Sequence, residues 1–245
     1  MRKIVAYFSP TGGTEKIARL IADETGAELM DITVYCYDLN FEKDDLLFFC
    51  YPVYGGRIPH PMHERMAGLS GNGASAVMVA VFGNRAVDDA LLEMSDLCLD
   101  RGFKTVGGIE MVAPHSIDKS IAADRPDAKD ISDLKEFIKG LMNKETFNEV
   151  KMPGKRPYVK YNGPMFRPTS GTKCTGCGTC SSECPTGAID PGDPRVPDKE
   201  KCIGCMRCLN LCPFGNRSVP LPAKLAASAA LRSMCSRRRP VKFYL

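Results

Sequence analysis

The sequence predicts an α/β protein: a doubly wound, five-stranded parallel sheet over residues 1–147, followed by a small α+β module built around cysteines. Three observations carry this. Apolar strand-like runs alternate with helix-periodic segments through the first half, as in successive βαβ units. Two of those runs, Leu46-Leu-Phe-Phe-Cys-Tyr51 and Ala74-Ser-Ala-Val-Met-Val-Ala-Val-Phe82, are unbroken, as in strands covered on both faces. Eight of the twelve cysteines then fall in two runs of one spacing, so that part of the chain is organised by metal rather than by a large core.

Taken in order, Lys3 to Phe8 is the first strand, and it leads into Ser9-Pro-Thr-Gly-Gly-Thr14. A helix fits Thr14 to Thr25, with Ile17, Ala18, Leu20 and Ile21 at helical spacing. Ala27 to Thr33 supplies the second strand, Leu46 to Tyr51 the third, Ala74 to Phe82 the fourth and Lys104 to Val112 the fifth. Val87 to Leu99 has the helical period and carries Asp88 and Asp89 in its first turn, where the helix dipole favours negative charge. Ile131 to Met142 is the last helix of this unit.

From 148 to 172 no period survives: Pro153, Pro157, Pro164 and Pro168 alternate with Gly154, Gly163, Gly171 and basic residues, as in a linker arm. The aromatics Tyr158, Tyr161 and Phe166 predict that this arm packs on something. Residues 173–220 form the cysteine module. Residues 221–245 form a tail, helical from Ala223 to Met234, with six basic residues and no acidic one.

Charge divides along the same line. Residues 1–147 hold 16 basic and 23 acidic side chains, while 148–245 hold 17 and 6, so a net −7 faces a net +11. Positive charge offsets anionic thiolate-bound metal and offers a docking face to an acidic redox partner protein. The tail's charge would also suit nucleic acid or anionic lipid, but a basic helix folded back on the acidic first half is the expected use. No nucleic-acid partner is expected.

Hydrophobic residues make up 44% of the chain and charged residues 25%, proportions of a globular protein. No stretch reaches the roughly 18 apolar residues of a membrane helix. The N-terminus enters an apolar strand with no signal-peptide pattern, so many cysteines without such a signal point to a reducing, cytoplasmic setting. Cys36, Cys50, Cys98 and Cys235 lie outside the two runs and receive no role; Cys50, in an apolar run, is expected to pack as a small hydrophobe.

The runs read Cys174-Thr-Gly-Cys177-Gly-Thr-Cys180-Ser-Ser-Glu-Cys184-Pro185 and Cys202-Ile-Gly-Cys205-Met-Arg-Cys208-Leu-Asn-Leu-Cys212-Pro213. Zinc knuckles use one or two C-x2-C pairs and have no use for a third cysteine at the same spacing followed by Cys-Pro. C-x2-C-x2-C-x3-C-P is the [4Fe–4S] spacing of bacterial ferredoxins, in which the fourth cysteine of each run serves the other cluster. One cluster would take Cys174, Cys177, Cys180 and Cys212, and the second Cys202, Cys205, Cys208 and Cys184.

Strand, Gly-Gly loop and helix make a phosphate cradle, in which backbone N–H groups face the anion. The loop has no lysine, and neither a P-loop nor a dinucleotide G-x-G-x-x-G pattern is present, which argues against a nucleotidase and against direct NAD(P)H binding. Neutral hydroxyls on Ser9, Thr11 and Thr14 suit a phosphate monoester. The loop resembles the flavodoxin fingerprint Thr/Ser-x-Thr-Gly-x-Thr, with Ser9, Thr11, Gly12 and Thr14 matching and Gly13 between them. That resemblance implies FMN.

Two more strand ends should open on the same crevice, where open α/β sheets bind ligands. They are Pro52-Val53-Tyr54-Gly55-Gly56 and Phe82-Gly83-Asn84-Arg85. Tyr54 offers a flat face to the flavin, Gly55 and Gly56 a backbone free to change its hydrogen bond at flavin N5, and Gly83, Asn84 and Arg85 donors to the pyrimidine edge. The chain lacks tryptophan, so the usual Trp/Tyr sandwich of flavodoxins cannot be copied and a more open flavin face is implied.

The order of the two units, with Pro-Val-Tyr-Gly-Gly-Arg-Ile-Pro and Gly-Asn-Arg-Ala-Val-Asp-Asp-Ala, resembles the flavodoxin–ferredoxin fusion family of anaerobic bacteria and archaea. The resemblance implies an electron-transfer protein passing single electrons between two [4Fe–4S] clusters and FMN. Its alternative is an FMN-dependent oxidoreductase that reduces a small molecule or a partner's cofactor. A non-catalytic module with structural clusters is a third. No catalytic residues are assigned: His60, His63 and His115 fall in loops and need no role, and no catalytic triad or paired-carboxylate pattern occurs. If flavin and clusters lie far apart, transfer between the chains of a homodimer replaces transfer within one.

Overall fold

A computed structural model describes residues 1–245. The chain opens with β1 (Lys3–Tyr7), α1 (Gly13–Thr25), β2 (Glu28–Asp31) and the two-residue β3 (Leu39–Asn40). β4 (Leu46–Pro52), α2 (Pro61–Ala67), β5 (Leu69–Ser70) and β6 (Ser75–Phe82) follow. The first unit continues through α3 (Ala90–Asp100), β7 (Lys104–Val112) and α4 (Ala128–Met142). The cysteine module contains β8 (Thr169–Ser170), α5 (Thr179–Ser182), α6 (Arg207–Leu211) and β9 (Arg217–Ser218). α7 (Leu221–Met234) and β10 (Lys242–Tyr244) complete the chain.

The five expected strands pair in parallel in the order β2-β1-β4-β6-β7. Their alternation fills a core on each side. Val5, Phe48, Val77 and Val79 face Ile17 and Ile21 of α1 and Leu134 and Ile138 of α4. Ile4, Phe49, Met78 and Ala80 face Met62 of α2 and Leu91 and Met94 of α3. A sheet covered on both faces needs continuous apolar strands, and β4 and β6 supply them. The direction of chain travel reverses between β1 and β4, and loops on either side of that point diverge to leave a crevice beyond the strands' carboxyl ends.

The sheet has six strands rather than five. β10 from the C-terminal tail joins the β7 edge antiparallel, with Phe243 opposite Ile109 and Tyr244 opposite Gly108. Phe243 stacks on Phe137 of α4 at 4.9 Å between ring centres, and the Tyr244 hydroxyl donates to Glu110 Oε1 at 2.7 Å. The pairing covers an otherwise open edge. Three residues after an arginine run hold too little pattern to announce a strand.

α2 and the β3–β5 pair are also absent from the sequence reading, being too short for periodicity to register. α4 begins three residues earlier than expected because Asp127 and Asp130 form a reciprocal capping box, each carboxylate accepting from the other's backbone N–H at 3.0 Å. Cys50 and Cys98 are buried in the sheet core, where burial pushes both thiols well above their usual range; Cys36 is exposed. No helix is long and apolar enough to cross a membrane.

Candidate functional site

The loop between β1 and α1 folds as a cradle. Gly12 caps α1 at φ +86°, a left-handed conformation that glycine adopts without penalty. Ser9 N–H donates to Thr33 Oγ1 at 2.9 Å, and Ser9 Oγ accepts from Glu15 N–H at 2.9 Å, which locks the loop and leaves the hydroxyl proton free to donate. Among the loop and cap hydrogen bonds, the N–H groups of Thr11, Gly12, Gly13 and Thr14 find no acceptor. These donors at a helix N-terminus fit a phosphate, with Thr11 and Thr14 hydroxyls beside them.

The β4 end forms a tight hairpin. Tyr54 and Arg57 exchange backbone hydrogen bonds at 3.0 and 3.1 Å across Gly55 and Gly56, at φ +58° and +87°. Those angles are the pair a type I′ turn demands, which explains two consecutive glycines. Side chains fix the turn as well. Arg57 donates to both carboxylate oxygens of buried Glu93 at 2.7 and 2.6 Å, and its guanidinium lies 4.7 Å from the Tyr158 ring centre. Gly56 is overlaid by the Asp88 carboxylate, which pairs with Arg85.

Twelve of the fourteen residues expected to hold FMN line one cavity of about 280 Å³ at the switch point. Gly12 and Asn84 do not. Asn84, expected to face a pyrimidine edge, is buried at φ +65° and holds the tail instead: its Nδ2 donates to the Cys235 and Arg237 carbonyls at 2.8 and 3.0 Å, and its Oδ1 accepts from Arg239 N–H at 3.0 Å. Both hydrogens of its side-chain amide are thereby taken up by the tail.

The sequence reading missed the roof. Tyr161, Pro164, Met165 and Phe166 of the arm line the cavity, as do Ile203, Gly204 and Met206 of the second cysteine run and Leu231 and Met234 of α7. The Tyr161 ring rests on Gly55, where a Cβ would come within 2.8 Å of it. Arm residues 155–159 are strapped to α3: the Asp89 carboxylate accepts from Lys155 N–H at 2.8 Å and Val159 N–H at 2.6 Å, and Asp96 pairs with Arg156 and Tyr158. The only advance signal was aromatic content in the arm. His115, after β7, also faces the cavity; its ring packs over Gly83, and burial, aided by Arg85 against the pull of Asp118, lowers its pKa.

In the cysteine module the two runs fold alike, 28 residues apart. Gly176 and Gly204 share a left-handed φ of +67° and +62°, Gly178 and Met206 of +78° and +64°, and Gly187 and Gly215 of +59° and +58°. Ala188 N–H donates to Cys184 Sγ and Asn216 N–H to Cys212 Sγ, each at 3.3 Å. Sequence spacing is thus matched by a backbone two-fold repeat. Cys174, Cys177, Cys180 and Cys212 line a single cavity with Phe214 and Arg217.

Cys205 is buried, and its thiol is pushed up to about 12 by burial and then by Cys184, Cys208 and Cys202 beside it. Cys212 of the second run thus lies with the cysteines of the first, and Cys184 of the first lies near those of the second. None of the twelve cysteines forms a disulfide. Four soft sulfurs around a cavity fit an iron–sulfur cube.

The two units are tied directly. Arg65 of α2, 5% exposed, donates to the Ile32 carbonyl at 3.0 Å and to the Pro185 carbonyl, next to Cys184, at 2.6 Å. The tail folds back on the acidic unit through Arg232–Asp118 at 2.9 Å, Arg238–Asp127 at 2.6 Å and Lys242–Glu110 at 3.2 Å.

A switch-point cradle over a flavodoxin-order sheet, facing a two-cluster cysteine cage, defines a flavin and iron–sulfur electron-transfer protein. Comparison with known families agrees. The flavodoxin family model matches residues 5–144, and a 4Fe–4S dicluster domain matches residues 173–216. The chain belongs to the flavodoxin family, here fused to a dicluster ferredoxin domain, and its cofactors are FMN and two [4Fe–4S] clusters.

Similar solved structures include oxidised flavodoxin 2 from Bacillus cereus, 18% identical, covering 58% of this chain and 98% of that one with a TM-score of 0.43. A Streptococcus pneumonia flavodoxin is 19% identical, covering 58% and 98% with a TM-score of 0.41. The rubredoxin oxygen:oxidoreductase of Desulfovibrio gigas is 15% identical, covering 56% of this chain and 34% of that one, TM-score 0.41. No curated protein matches the chain.

Proposed function

We propose that the chain passes electrons singly between FMN in the crevice and an inner cluster held by Cys202, Cys205, Cys208 and Cys184, and between that cluster and an outer one held by Cys174, Cys177, Cys180 and Cys212. One observation carries the reading: the loop around Cys205 is itself a wall of the flavin crevice, through Ile203, Gly204 and Met206. The Tyr54 phenol, pushed well above its usual range by burial, also feels the Cys205 charge, so the expected flavin-stacking ring and an inner-cluster ligand are neighbours. When bound, FMN exchanges one or two electrons and each cluster one.

The chain's residues do the rest. Thr11 to Thr14 bind the phosphate, Tyr54 and Tyr161 orient the ring, and Met165, Phe166 and Met206 exclude water. That roof also disfavours reduction of a small molecule directly above the flavin. Cys177 and Phe214 are exposed, so a redox partner would meet the outer cluster, and the +11 charge of the second half suits an acidic one. With flavin and inner cluster adjacent in one chain, transfer between protomers is not required.

Anaerobic purification followed by counting tests this. About eight irons, eight sulfides and one FMN per chain are expected from two cubanes and one crevice. Rapid-mixing reduction should then show a Cys205→Ser variant reducing its FMN far more slowly than the parent while a Cys36→Ser control does not. Equal flavin reduction in both variants would overturn the route, and zinc in place of iron would overturn the ligand sets.

A further inference from the structure

One residue breaks the two-fold repeat of the cysteine module. The residue five positions after the fourth cysteine is Ile189 in the first run and Arg217 in the second. Both are buried, at 4% exposure. An isolated buried charge is costly unless paired, and no carboxylate pairs with Arg217.

Its hydrogen bonds run elsewhere. One terminal nitrogen donates to the Pro194 carbonyl at 2.6 Å and to Cys180 Sγ at 3.4 Å, and the other to the Pro168 carbonyl at 2.9 Å. The guanidinium also lies beside Cys208. Cys180 and Cys208 are equivalent positions of the two runs, one in each ligand set. The Nε–H, buried, has no acceptor anywhere in the chain. Most buried donors in folded proteins are satisfied, so this one is free to meet a group the chain does not supply.

We infer that Arg217 is the shared counter-charge of the two clusters: a single guanidinium set between the ligand sets, donating to Cys180, facing Cys208 and offering its Nε–H to cluster sulfur. The inference rests on the ligand sets proposed above. Reducing either cluster adds one electron and one negative charge, with no bond made or broken. A fixed positive charge in a low-dielectric site stabilises that added charge, so Arg217 raises both reduction potentials together. The first run's Ile189 cannot do this, and one arginine at the centre of the repeat serves both.

The test is a redox titration of the full chain, followed by electron paramagnetic resonance, with iron counted first. Arg217→Lys keeps the charge and loses the fork; Arg217→Gln keeps a polar side chain and loses the charge. Arg217→Gln should make one-electron reduction of both clusters at least tenfold less favourable, about 59 mV each for a one-electron couple, while Arg217→Lys stays near the parent. Iron lost from Arg217→Gln alone also supports the role, since the charge is then what retains the clusters.

Eight irons with unmoved potentials in Arg217→Gln would overturn it. So would loss of iron from both variants alike, which would make Arg217 a strut between the Pro168 and Pro194 carbonyls. A parent chain without eight irons would instead overturn the ligand sets.

Discussion

Replacing Asp89 by alanine should release the arm that roofs the flavin crevice without unfolding the sheet beneath it. Asp89 is 8% exposed, and its two carboxylate oxygens accept from the backbone N–H groups of Lys155 and Val159 at 2.8 and 2.6 Å. Hydrogen bonds to a charged group contribute about 1.5–3 kcal/mol each. At the lower end, suited to a partly buried site, the pair is worth about 3 kcal/mol, which raises the detached fraction roughly a hundredfold at 1.4 kcal/mol per decade.

Asp96 holds the same stretch more weakly, through Arg156, whose side chain is 61% exposed and whose ion pair is worth little, and through one hydrogen bond from the part-buried Tyr158 hydroxyl, worth about 1.5 kcal/mol at the same lower end. Trypsin reads the difference, because Lys155 and Lys160 flank the strapped segment and cleavage tracks the open population when reclosing is fast. Asp89→Ala should be cut in the arm about a hundred times faster than the parent, and Asp96→Ala only about ten times faster. FMN fluorescence should rise with cleavage as the Tyr161 cover leaves. Equal cleavage of the two variants would refute the reasoning, since the anchoring would then not follow burial.

Other perturbations separate buried from exposed charge. Arg125 and Asp130 pair at 2% and 3% side-chain exposure, so Arg125→Ala should cost about 3–5 kcal/mol in chemical denaturation; Arg238→Ala, whose side chain is 52% exposed, should cost about 1 kcal/mol or less. Ending the chain after Ser236 removes β10 and the Asn84 contacts with Arg237 and Arg239; the bared β7 edge should lower the melting temperature and promote self-association, read by light scattering.

His115 has a lowered folded pKa. The unfolded chain therefore takes up the proton first, and stability is full above about pH 6.5 and falls as pH drops toward the folded value. His115→Gln should flatten melting temperature against pH between 7 and 5, and an unchanged slope would place the titration elsewhere.

Local patterns made much of the molecule legible. The cysteine runs announce their cage because the first three cysteines of each run lie within seven residues, and the left-handed positions between them fall mostly on glycine. Ser9 to Thr14 and Gly55-Gly56 were readable for the same reason: a helix N-terminus and a type I′ turn are built from adjacent residues. Continuous apolar runs in β4 and β6 revealed a sheet covered on both faces.

Only the tertiary structure decided the rest. Asn84 looked like a flavin donor from its neighbours in sequence, yet its partners are Cys235, Arg237 and Arg239, more than 150 residues away. The roof is assembled from the arm, the Cys205 loop and α7, and β10 finds its edge because Gly107-Gly108 leaves room and Phe137 offers a ring. Arg217 is one of the 17 basic residues of the second half, and that it is buried against Cys180 shows only in the fold. Sequence specifies what is formed by bonds and contacts a few residues apart; which distant surfaces meet depends on the shape and charge of the whole folded chain, and it is that meeting which brings an iron–sulfur loop to the wall of a flavin site.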